Sequence, residues 1–265
     1  MLYIVIEIGF SSMNLNLKDK KILILGASKG IGRATTLALS KEKAKLIAVA
    51  RSKNKLDQLK DESLKNGAAF FEYEICDVIN EDMASFTNML LKKYGHFDII
   101  IHCIGTSLTS RNYSASRGEW LNALDINVLH ALDVNSVIIE DMIKNNIKGH
   151  ILHVSSISGK SLRGNPLYAS CKAFLNAYIS SVGREVANKG IVLNGVMPGA
   201  VSFEDSYWDL AQKQNDPKVN DFIRHHQAIG RFGTTEEIAN LIVFLVSDLA
   251  SFTTGDVLPI DGGTM

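Results

Sequence analysis

Short runs of apolar residues alternate with longer segments of helical period along almost the whole chain. The apolar runs are nearly continuous, as expected for strands that are covered on both faces of a sheet. Strands separated by helices predict parallel βαβ crossovers, and therefore an α/β protein with one doubly wound sheet and helices on both faces. The predicted strands are residues 21–26, 46–50, 70–74, 97–101, 151–154, 191–196 and 257–260, and the predicted helices are residues 31–41, 53–66, 81–94, 117–146, 167–188 and 236–246.

The longest interruption of this alternation is residues 200–233, after the sixth predicted strand. Ligands of open α/β sheets bind beyond the carboxyl ends of the strands, so a long excursion from such an end is a candidate substrate lid. Its polar and aromatic side chains either line a pocket for a polar or sugar-like carbonyl compound or pack an amphipathic helix onto the body of the protein. These side chains are Tyr207, Trp208, Arg224, His225 and His226.

The first twelve residues differ in character from the rest of the chain. Within residues 1–12, the stretch from Leu2 to Phe10 is apolar, but it lacks a preceding basic segment, carries Glu7 and is too short to span a bilayer. We expect a disordered extension or the product of an upstream start codon, with a degenerate signal peptide as the less favoured alternative. Residues 13–265 are expected to form a single domain of the dinucleotide-binding (Rossmann) type.

Composition narrows the class of protein. The 265 residues are 46% hydrophobic and 21% charged, as in an ordinary soluble globular protein. The formal net charge is zero, so no long-range field attracts nucleic acid or an anionic membrane. The three cysteines show no CxxC or paired spacing, which argues against a disulfide framework and against a metal site, and favours a cytoplasmic location.

A glycine-rich turn directly follows the first predicted strand. Gly26 permits a tight turn, Gly30 lets the backbone approach a pyrophosphate, and Gly32 allows close packing of helix on strand. Free N–H groups at the start of the helix then face the negative charge. Glycines also punctuate ordinary turns, but this position in a βαβ unit favours nucleotide binding. The other candidate cofactor contacts in the turn are Ser28, Lys29 and Ile31.

The end of the second strand discriminates between cofactors. A carboxylate there would hold the ribose 2′-hydroxyl of NAD and repel a 2′-phosphate. The chain has Arg51 and Ser52 instead, and Arg51 can form a forked contact with phosphate, so we predict NADP(H). The alternative is that Lys29 and Arg51 are merely solvated. Asp77 and Val78, after the third strand, are candidates for contact with adenine, although Asp77 could equally cap a helix.

Tyr168 and Lys172 are the strongest candidates for chemistry. Four residues apart, they share one face of a helix, where an ammonium group can lower the pKa of a phenol from its usual value near 10. Ser156 follows the predicted strand 151–154, where its hydroxyl could hydrogen-bond a substrate carbonyl. Tyr168 would then transfer the proton, Lys172 would also hold the ribose hydroxyls, and Asn127 would anchor a water that links Lys172 to solvent.

These motifs resemble the classical, NADP-dependent short-chain dehydrogenase/reductase family over residues 18–265. The resemblance rests on Gly26-Ala27-Ser28-Lys29-Gly30-Ile31-Gly32, on Asp77 and Asn127, on Ser155-Ser156-Ile157-Ser158-Gly159, on Tyr168-Ala169-Ser170-Cys171-Lys172, and on residues 194–199 and 254–263. The last of these, with 231–237, resembles the 3-oxoacyl-carrier-protein reductase and sugar or polyol dehydrogenase branches. The resemblance implies a seven-stranded parallel sheet, the Ser–Tyr–Lys–Asn tetrad and a homotetramer or homodimer. It also implies that Pro198, Gly199 and Val201 line the nicotinamide.

The chain departs from the family pattern at three places. Leu25 stands where the family usually has threonine, and His102-Cys103-Ile104-Gly105 stands where it usually has Asn-Asn-Ala-Gly. We expect altered packing around the adenosine, with backbone groups of Cys103 and Gly105 still serving the cofactor. The spacing from Ser156 to Tyr168 is one residue shorter than is commonest, which keeps Ser155 as a less favoured catalytic serine.

Three functions remain open on these grounds. The leading hypothesis is an NADP(H)-dependent oxidoreductase that transfers hydride between nicotinamide and a small carbonyl or alcohol substrate. The second is a catalytically inactive NADP-binding regulatory protein, which the departures at Leu25 and His102 support and the complete tetrad opposes. The third is an epimerase or dehydratase on a nucleotide sugar, which usually needs a larger carboxyl-terminal region.

Overall fold

A single parallel sheet forms the centre of the protein. In the computed structural model, which describes residues 13–107, 113–162 and 164–264, its strands are β1 (Lys21–Leu25), β2 (Lys45–Ala50), β3 (Phe70–Ile75), β4 (Ile99–His102), β5 (His150–Val154), β6 (Val192–Pro198) and β7 (Val257–Ile260). Their order across the sheet is β3-β2-β1-β4-β5-β6-β7. The predicted doubly wound α/β class is therefore confirmed. Residues 1–12 lie outside the described residues.

Helices cover both faces because side chains of each strand alternate between them. α1 (Gly30–Lys41), α2 (Lys53–Lys65) and α10 (Thr235–Leu245) pack on one face. α3 (Met83–Tyr94), α5 (His130–Lys144) and α7 (Pro166–Val186) pack on the other. Shorter helices are α4 (Arg117–Leu124), α6 (Ser158–Ser161), α8 (Tyr207–Lys213) and α9 (Pro217–His226). In the part of the chain that the structure describes, no helix combines the length and apolarity needed to cross a membrane.

The strand order places a crevice at the carboxyl edge of the sheet. From β1 the chain moves outwards through β2 and β3, and it then returns to pair β4 on the other side of β1. The chain after β1 therefore continues on one face of the sheet and the chain after β4 on the other. Open α/β sheets bind ligands in the crevice between two such loops. Leu25 pairs with His102 at this edge, so the glycine turn and the loop after β4 leave the sheet side by side.

One long predicted helix is wrong as a continuous α-helix. Residues 117–146 form α4, one π-helical turn at Asp125–Leu129, and then α5. The π turn contains the buried Asn127. Such turns insert one extra residue and are frequent at functional sites, and the hydrophobic period of the sequence does not reveal them because the apolar face continues on both sides.

The excursion at residues 200–233 returns close to its starting point. Val201 forms a parallel bridge with Gly233, and the Gly233 amide donates to the Ala200 carbonyl at 3.0 Å. Helices α8 and α9 lie between these joined ends. The predicted lid segment is thus a closed loop anchored just beyond β6.

Candidate active site

The glycine turn is sterically tight where the sequence predicts it to be. Gly26 has φ +84°, and a Cβ there would lie 2.9 Å from the carbonyl carbon and oxygen of Cys103. A Cβ on Gly32 would lie 2.2 Å from the Gly26 carbonyl oxygen. Lys29, the residue that caps α1, makes no side-chain hydrogen bond to the first turn. The backbone amides at the start of α1 are therefore available to an anion.

A residue of the predicted lid segment, not expected from the sequence, packs against this turn. A Cβ on Gly30 would lie 3.0 Å from the ring of Phe203, which follows β6 by a few residues. The ring also joins the hydrophobic cluster on the α1 face of the sheet, together with the half-buried Ile31. Ser28 is half-buried in the same turn. The sequence carried no signal for Phe203, because its contact spans separate elements.

Arg51 and Asp77 lie together at the ends of neighbouring strands. Ala50 pairs with Ile75 in the β2–β3 ladder, which brings the residues that follow each strand side by side. The Arg51 guanidinium lies 3.8 Å from the Asp77 carboxylate, and the Arg51 side chain is 71% exposed. So loose and exposed an ion pair contributes little stability, which leaves the guanidinium available to another anion. Ser52 caps α2, and Val78 packs on the α3 side of the sheet.

Ser156 and Tyr168 meet through their side chains. Ser156 lies just beyond β5, and Tyr168 lies in the first turn of α7. Burial raises the pKa of the Tyr168 phenol, and the hydrogen bond with Ser156 opposes that increase. The Ser156 hydroxyl also accepts from the Ser158 amide at 3.1 Å, which fixes its direction.

Lys172 is fully buried beside this pair. Its ammonium nitrogen lies 5.6 Å from the centre of the Tyr168 ring and donates to the Val154 carbonyl at 3.1 Å. Burial lowers the pKa of Lys172 to about 8, because desolvation disfavours its charged form. The expectation that Lys172 lowers the Tyr168 pKa does not describe the balance found here, where burial of the phenol is the largest influence.

Asn127 is directed at the loop after β4. Its side-chain oxygen accepts from the Thr106 amide at 2.9 Å, and its amide nitrogen donates to the Thr106 carbonyl at 3.2 Å. A Cβ on Gly105 would lie 2.9 Å from the Lys172 nitrogen and 3.0 Å from the Asn127 oxygen. Asn127, Lys172 and Gly105 are therefore in one place, and a side chain at Gly105 would collide with both polar groups.

The two adjacent serines have different partners. Ser155 is buried, and its hydroxyl donates to the Asn176 side chain on α7 and more weakly to the Lys172 carbonyl. Ser156 instead contacts Tyr168. This arrangement assigns Ser155 to the attachment of β5 to α7 and favours Ser156 as the serine that faces a substrate.

The end of β6 borders the same crevice. The Pro198 carbonyl accepts from the Ile157 amide at 3.0 Å, which joins this strand end to the loop that carries Ser156. A Cβ on Gly199 would lie 2.7 Å from the Asp261 backbone, and Val201 is buried where the lid segment begins. The three residues expected beside a nicotinamide, Pro198, Gly199 and Val201, therefore lie at or just beyond the same strand end.

Most aromatic side chains of the lid segment pack on each other. Trp208 contacts Phe222 and Phe232, with ring centres 4.3 and 4.8 Å apart. His226 contacts the same cluster through Phe222, while Tyr207 packs edge-on against Trp208 and stays largely exposed. Trp208 thus follows the packing alternative, and Arg224 and His225 are on α9, where His225 pairs with Asp221.

His102, one of the departures from the family pattern, stacks on a second histidine, and the sequence does not reveal this contact. His102 is buried opposite His153 in the β4–β5 ladder, and the two rings stack with centres 4.4 Å apart and planes within 5°. Leu25 is buried beside His102 in the same row. The Cys103 amide donates to the Leu25 carbonyl at 2.8 Å, which extends the pairing of β1 with β4 by one bond. Burial raises the Cys103 pKa to about 12.

Glycine turn, parallel sheet and strand-end side chains together define an α/β protein of the Rossmann class. A family profile described as enoyl-(acyl carrier protein) reductase matches residues 26–265. The 3-oxoacyl-[acyl-carrier-protein] reductase FabG of Thermotoga maritima is 31% identical over 252 residues, covering 94% of this chain and 99% of that relative. The FabG of Chlamydia muridarum is 32% identical over 259 residues, covering 95% and 99%.

A protein of known structure is also similar to this chain. The L-sorbose reductase of Gluconobacter frateurii, crystallised with NADPH and L-sorbose, superimposes with a TM-score of 0.86 at 26% identity, covering 95% of this chain and 98% of that one. The chain belongs to the short-chain dehydrogenase/reductase family, a family of oxidoreductases. The family predicted from the motifs is therefore confirmed.

Proposed function

We propose that this protein is an NADP(H)-dependent oxidoreductase that interconverts a carbonyl and an alcohol on a small substrate. The observation that carries the proposal is the contact of Ser156 with Tyr168, with Lys172 and Asn127 converging on Gly105 beside them. These groups lie at the same edge of the sheet as the glycine turn, so a nucleotide cradle and an acid–base pair share one crevice.

The cofactor assignment rests on the shape and charge of this crevice. The positions of Gly26 and Gly32 leave no room for side chains, and the first turn of α1 offers amides to a pyrophosphate. Arg51, exposed at the end of β2, suits a 2′-phosphate, and a similar protein of known structure was crystallised with NADPH. When bound, NADPH would supply the hydride.

The chain's own residues account for the proton. Ser156 would donate a hydrogen bond to the substrate carbonyl oxygen, and Tyr168 would donate the proton to that oxygen during reduction. The raised pKa of Tyr168 keeps its phenol protonated at neutral pH, which suits proton donation. Lys172, with a pKa of about 8, carries its charge in most molecules at neutral pH and would bind ribose hydroxyls. Asn127 holds the Thr106 backbone beside them.

We assign the substrate to a broad chemical class. In the predicted lid segment, Trp208 packs within an aromatic cluster. Phe203, which packs against Gly30, and the exposed Tyr207 are the other aromatic side chains near the start of this segment. Together with the sugar named for one similar protein of known structure, this supports a small carbonyl compound. Assembly as a homotetramer or homodimer remains a prediction, and the exposed Phe174 on α7 and Ile143 on α5 support these helices as its contact surface.

Steady-state reduction of a carbonyl panel with NADPH tests the proposed function. Replacement Tyr168→Phe removes only the phenolic oxygen, and we expect turnover to fall about 10²–10⁴-fold because proton transfer is lost. Tyr94→Phe is the matched control, because Tyr94 bonds Glu74 at the far end of α3. Equal turnover in Tyr168→Phe and wild type would refute the mechanism. Tight NADPH binding without turnover on any compound would instead favour the inactive regulatory protein.

A further inference from the structure

Four polar side chains form a buried hydrogen-bonded cluster beneath the candidate active site. The Asn135 side-chain oxygen lies 2.8 Å from His102 Nε2. Its amide nitrogen lies 3.0 Å from His153 Nε2 and also 3.0 Å from the Tyr178 hydroxyl. His102, Asn135 and His153 are at most 3% exposed. The proposed function uses none of these four side chains.

The amide of Asn135 sets the protonation of both rings. An amide offers one acceptor oxygen and one donor NH₂ group. Whichever way the amide faces, one of His102 and His153 must carry its proton on Nε2 and the other must accept there. Burial holds the pKa of His102 at about 3 and that of His153 well below its usual value, so both rings are neutral. Within the described residues, these imidazoles belong to no group arranged to hold a metal ion.

The cluster joins every element that carries a candidate catalytic residue. His153 directly precedes Val154, whose carbonyl accepts from Lys172, and Ser156 follows. His102 ends β4 immediately before the loop that contains Gly105. Asn135 is on α5, which continues from the π turn of Asn127, and Tyr178 is on α7 with Tyr168 and Lys172. One amide therefore connects two strand ends and two helices.

We propose that Asn135 is a positioning residue that, through His102, His153 and Tyr178, holds the ends of β4 and β5 against α5 and α7 and so fixes the Lys172 ammonium on the Val154 carbonyl beside Tyr168. For its kinetic consequence the proposal rests on the proposed function. Its structural consequence, the placement of Lys172, stands apart from any reaction. The Nδ1 atoms of both rings are buried without a hydrogen-bond partner among the described residues, so the Nε2 bonds to the Asn135 amide are the ones that hold the rings. In a low-dielectric interior, a shift that breaks either bond strands a further buried donor or acceptor.

Lys172 reports on its own placement when it titrates. Around its ammonium lie Tyr168 and Cys171 from α7, Cys103 from the end of β4, Asn127 and His130 from the π turn and α5, and Val154 and His153 from β5. A displaced end of β5 removes the Val154 carbonyl from the ammonium and changes its hydration. The pH midpoint of Lys172 should then move.

The test compares two substitutions on α5. Asn135→Leu keeps the shape of the side chain and removes both of its hydrogen-bonding roles. Met142→Ala is the matched control, because Met142 is buried on the same helix, in the apolar cluster on that face of the sheet, but contacts Gly149 at the other end of the sheet. Lys172 is titrated by NMR of ¹³C-labelled lysine, with Lys172→Arg for assignment. The kcat and KM for NADPH-dependent reduction are measured per mole of folded protein.

We expect Asn135→Leu to shift the Lys172 midpoint and to lower kcat roughly tenfold to a hundredfold with little change in KM for NADPH, as a small misplacement of catalytic groups does. Met142→Ala should change neither quantity, although it too lowers stability. A Lys172 midpoint and kcat in Asn135→Leu that match those of Met142→Ala would overturn the proposal.

Two further results separate this inference from the proposed function. If the wild-type protein reduces no carbonyl compound but Asn135→Leu still moves the Lys172 midpoint, the positioning role stands and the proposed function fails. If Asn135→Leu does not fold, Tyr178→Phe takes its place, because it removes one hydrogen-bond partner of the Asn135 amide. A Lys172 midpoint unchanged by Tyr178→Phe would then overturn the proposal.

Discussion

Burial acts on Tyr168 and Lys172 in opposite directions. It raises the pKa of the phenol and lowers that of the ammonium, because in both cases it disfavours the charged form. The spacing of four residues correctly implies that the two side chains are neighbours. The spacing does not indicate how deeply the two side chains are buried, and that burial determines the pKa of each group.

Arg51 carries the predicted cofactor preference. Replacement Arg51→Asp places a carboxylate at the end of β2, where it repels a 2′-phosphate and can accept from a ribose 2′-hydroxyl. We expect NADPH binding to weaken by about 10- to 100-fold, the loss of one charge-assisted contact plus repulsion, while NADH binding holds or improves. Fluorescence titration with each nucleotide measures both constants.

Lys65→Asp is the control for this substitution, because it makes the same change in charge at the far end of α2. It should leave the ratio of the two dissociation constants unchanged. A wild-type preference for NADH, or an unaltered ratio in Arg51→Asp, would contradict the role given to Arg51.

Helix α7 is the element on which the candidate site depends most. It begins with Pro166 in its first turn and with Asn165 as its cap, whose side-chain oxygen accepts from the Leu167 amide at 3.0 Å. Pro at the start of a helix is preorganised, and an Asn cap satisfies an amide that has no partner within the helix. Tyr168 and Lys172 occupy the first two turns, so this capped end determines where the two side chains lie relative to the end of β5.

Removal of this cap should destabilise the protein measurably. We expect Asn165→Ala to lower the free energy of unfolding by about 1 kcal/mol, within the range of 0.5–2 kcal/mol for lost caps, while Asn165→Ser retains an acceptor and loses less. Urea denaturation of the three proteins compares them. Equal midpoints for the alanine and serine variants would show that the side-chain acceptor does not support the helix.

Four buried histidines couple the stability of the whole molecule to pH. Burial lowers the pKa of His102 to about 3 and that of His130 to about 4, and it also lowers those of His150 and His153, from a usual value of 6.5. In the unfolded chain these rings take up protons as the pH falls below 6.5, and in the folded protein they do so only at lower pH. Stability is therefore complete above pH 6.5 and declines as the pH falls towards 4.

Urea midpoints measured across this range test the coupling. Each proton that the unfolded chain binds in excess lowers the unfolding free energy by at most about 1.4 kcal/mol per pH unit. His150→Asn should make the decline shallower, because His150 lies at the start of β5, away from the candidate site, and its loss removes one such proton. His225→Asn, on the exposed α9, controls for loss of an imidazole. A midpoint that stays constant from pH 6.5 to 4 would refute the coupling.

Local patterns in the sequence determined the class of fold, the family and the identity of the candidate residues. Continuous apolar strands require cover on both faces, the glycines meet backbone too closely to bear side chains, and a Tyr–Lys spacing of four shares a helix face. The signal for each of these constraints lies within a short segment of the chain, although the backbone that Gly26 meets at Cys103 is distant in sequence. That is why Gly26, Tyr168 and Lys172 were recognisable from the chain alone.

Tertiary structure decided what depends on residues far apart in the chain. The stacking of His102 on His153, the bridge through Asn135 and the contact of Phe203 with Gly30 all arise where separate elements meet. Burial, and with it the pKa values of Tyr168 and Lys172, likewise exists only once the sheet and helices have packed. A side chain's type and spacing can be read from sequence, whereas its desolvation and its partners are properties of the packed fold.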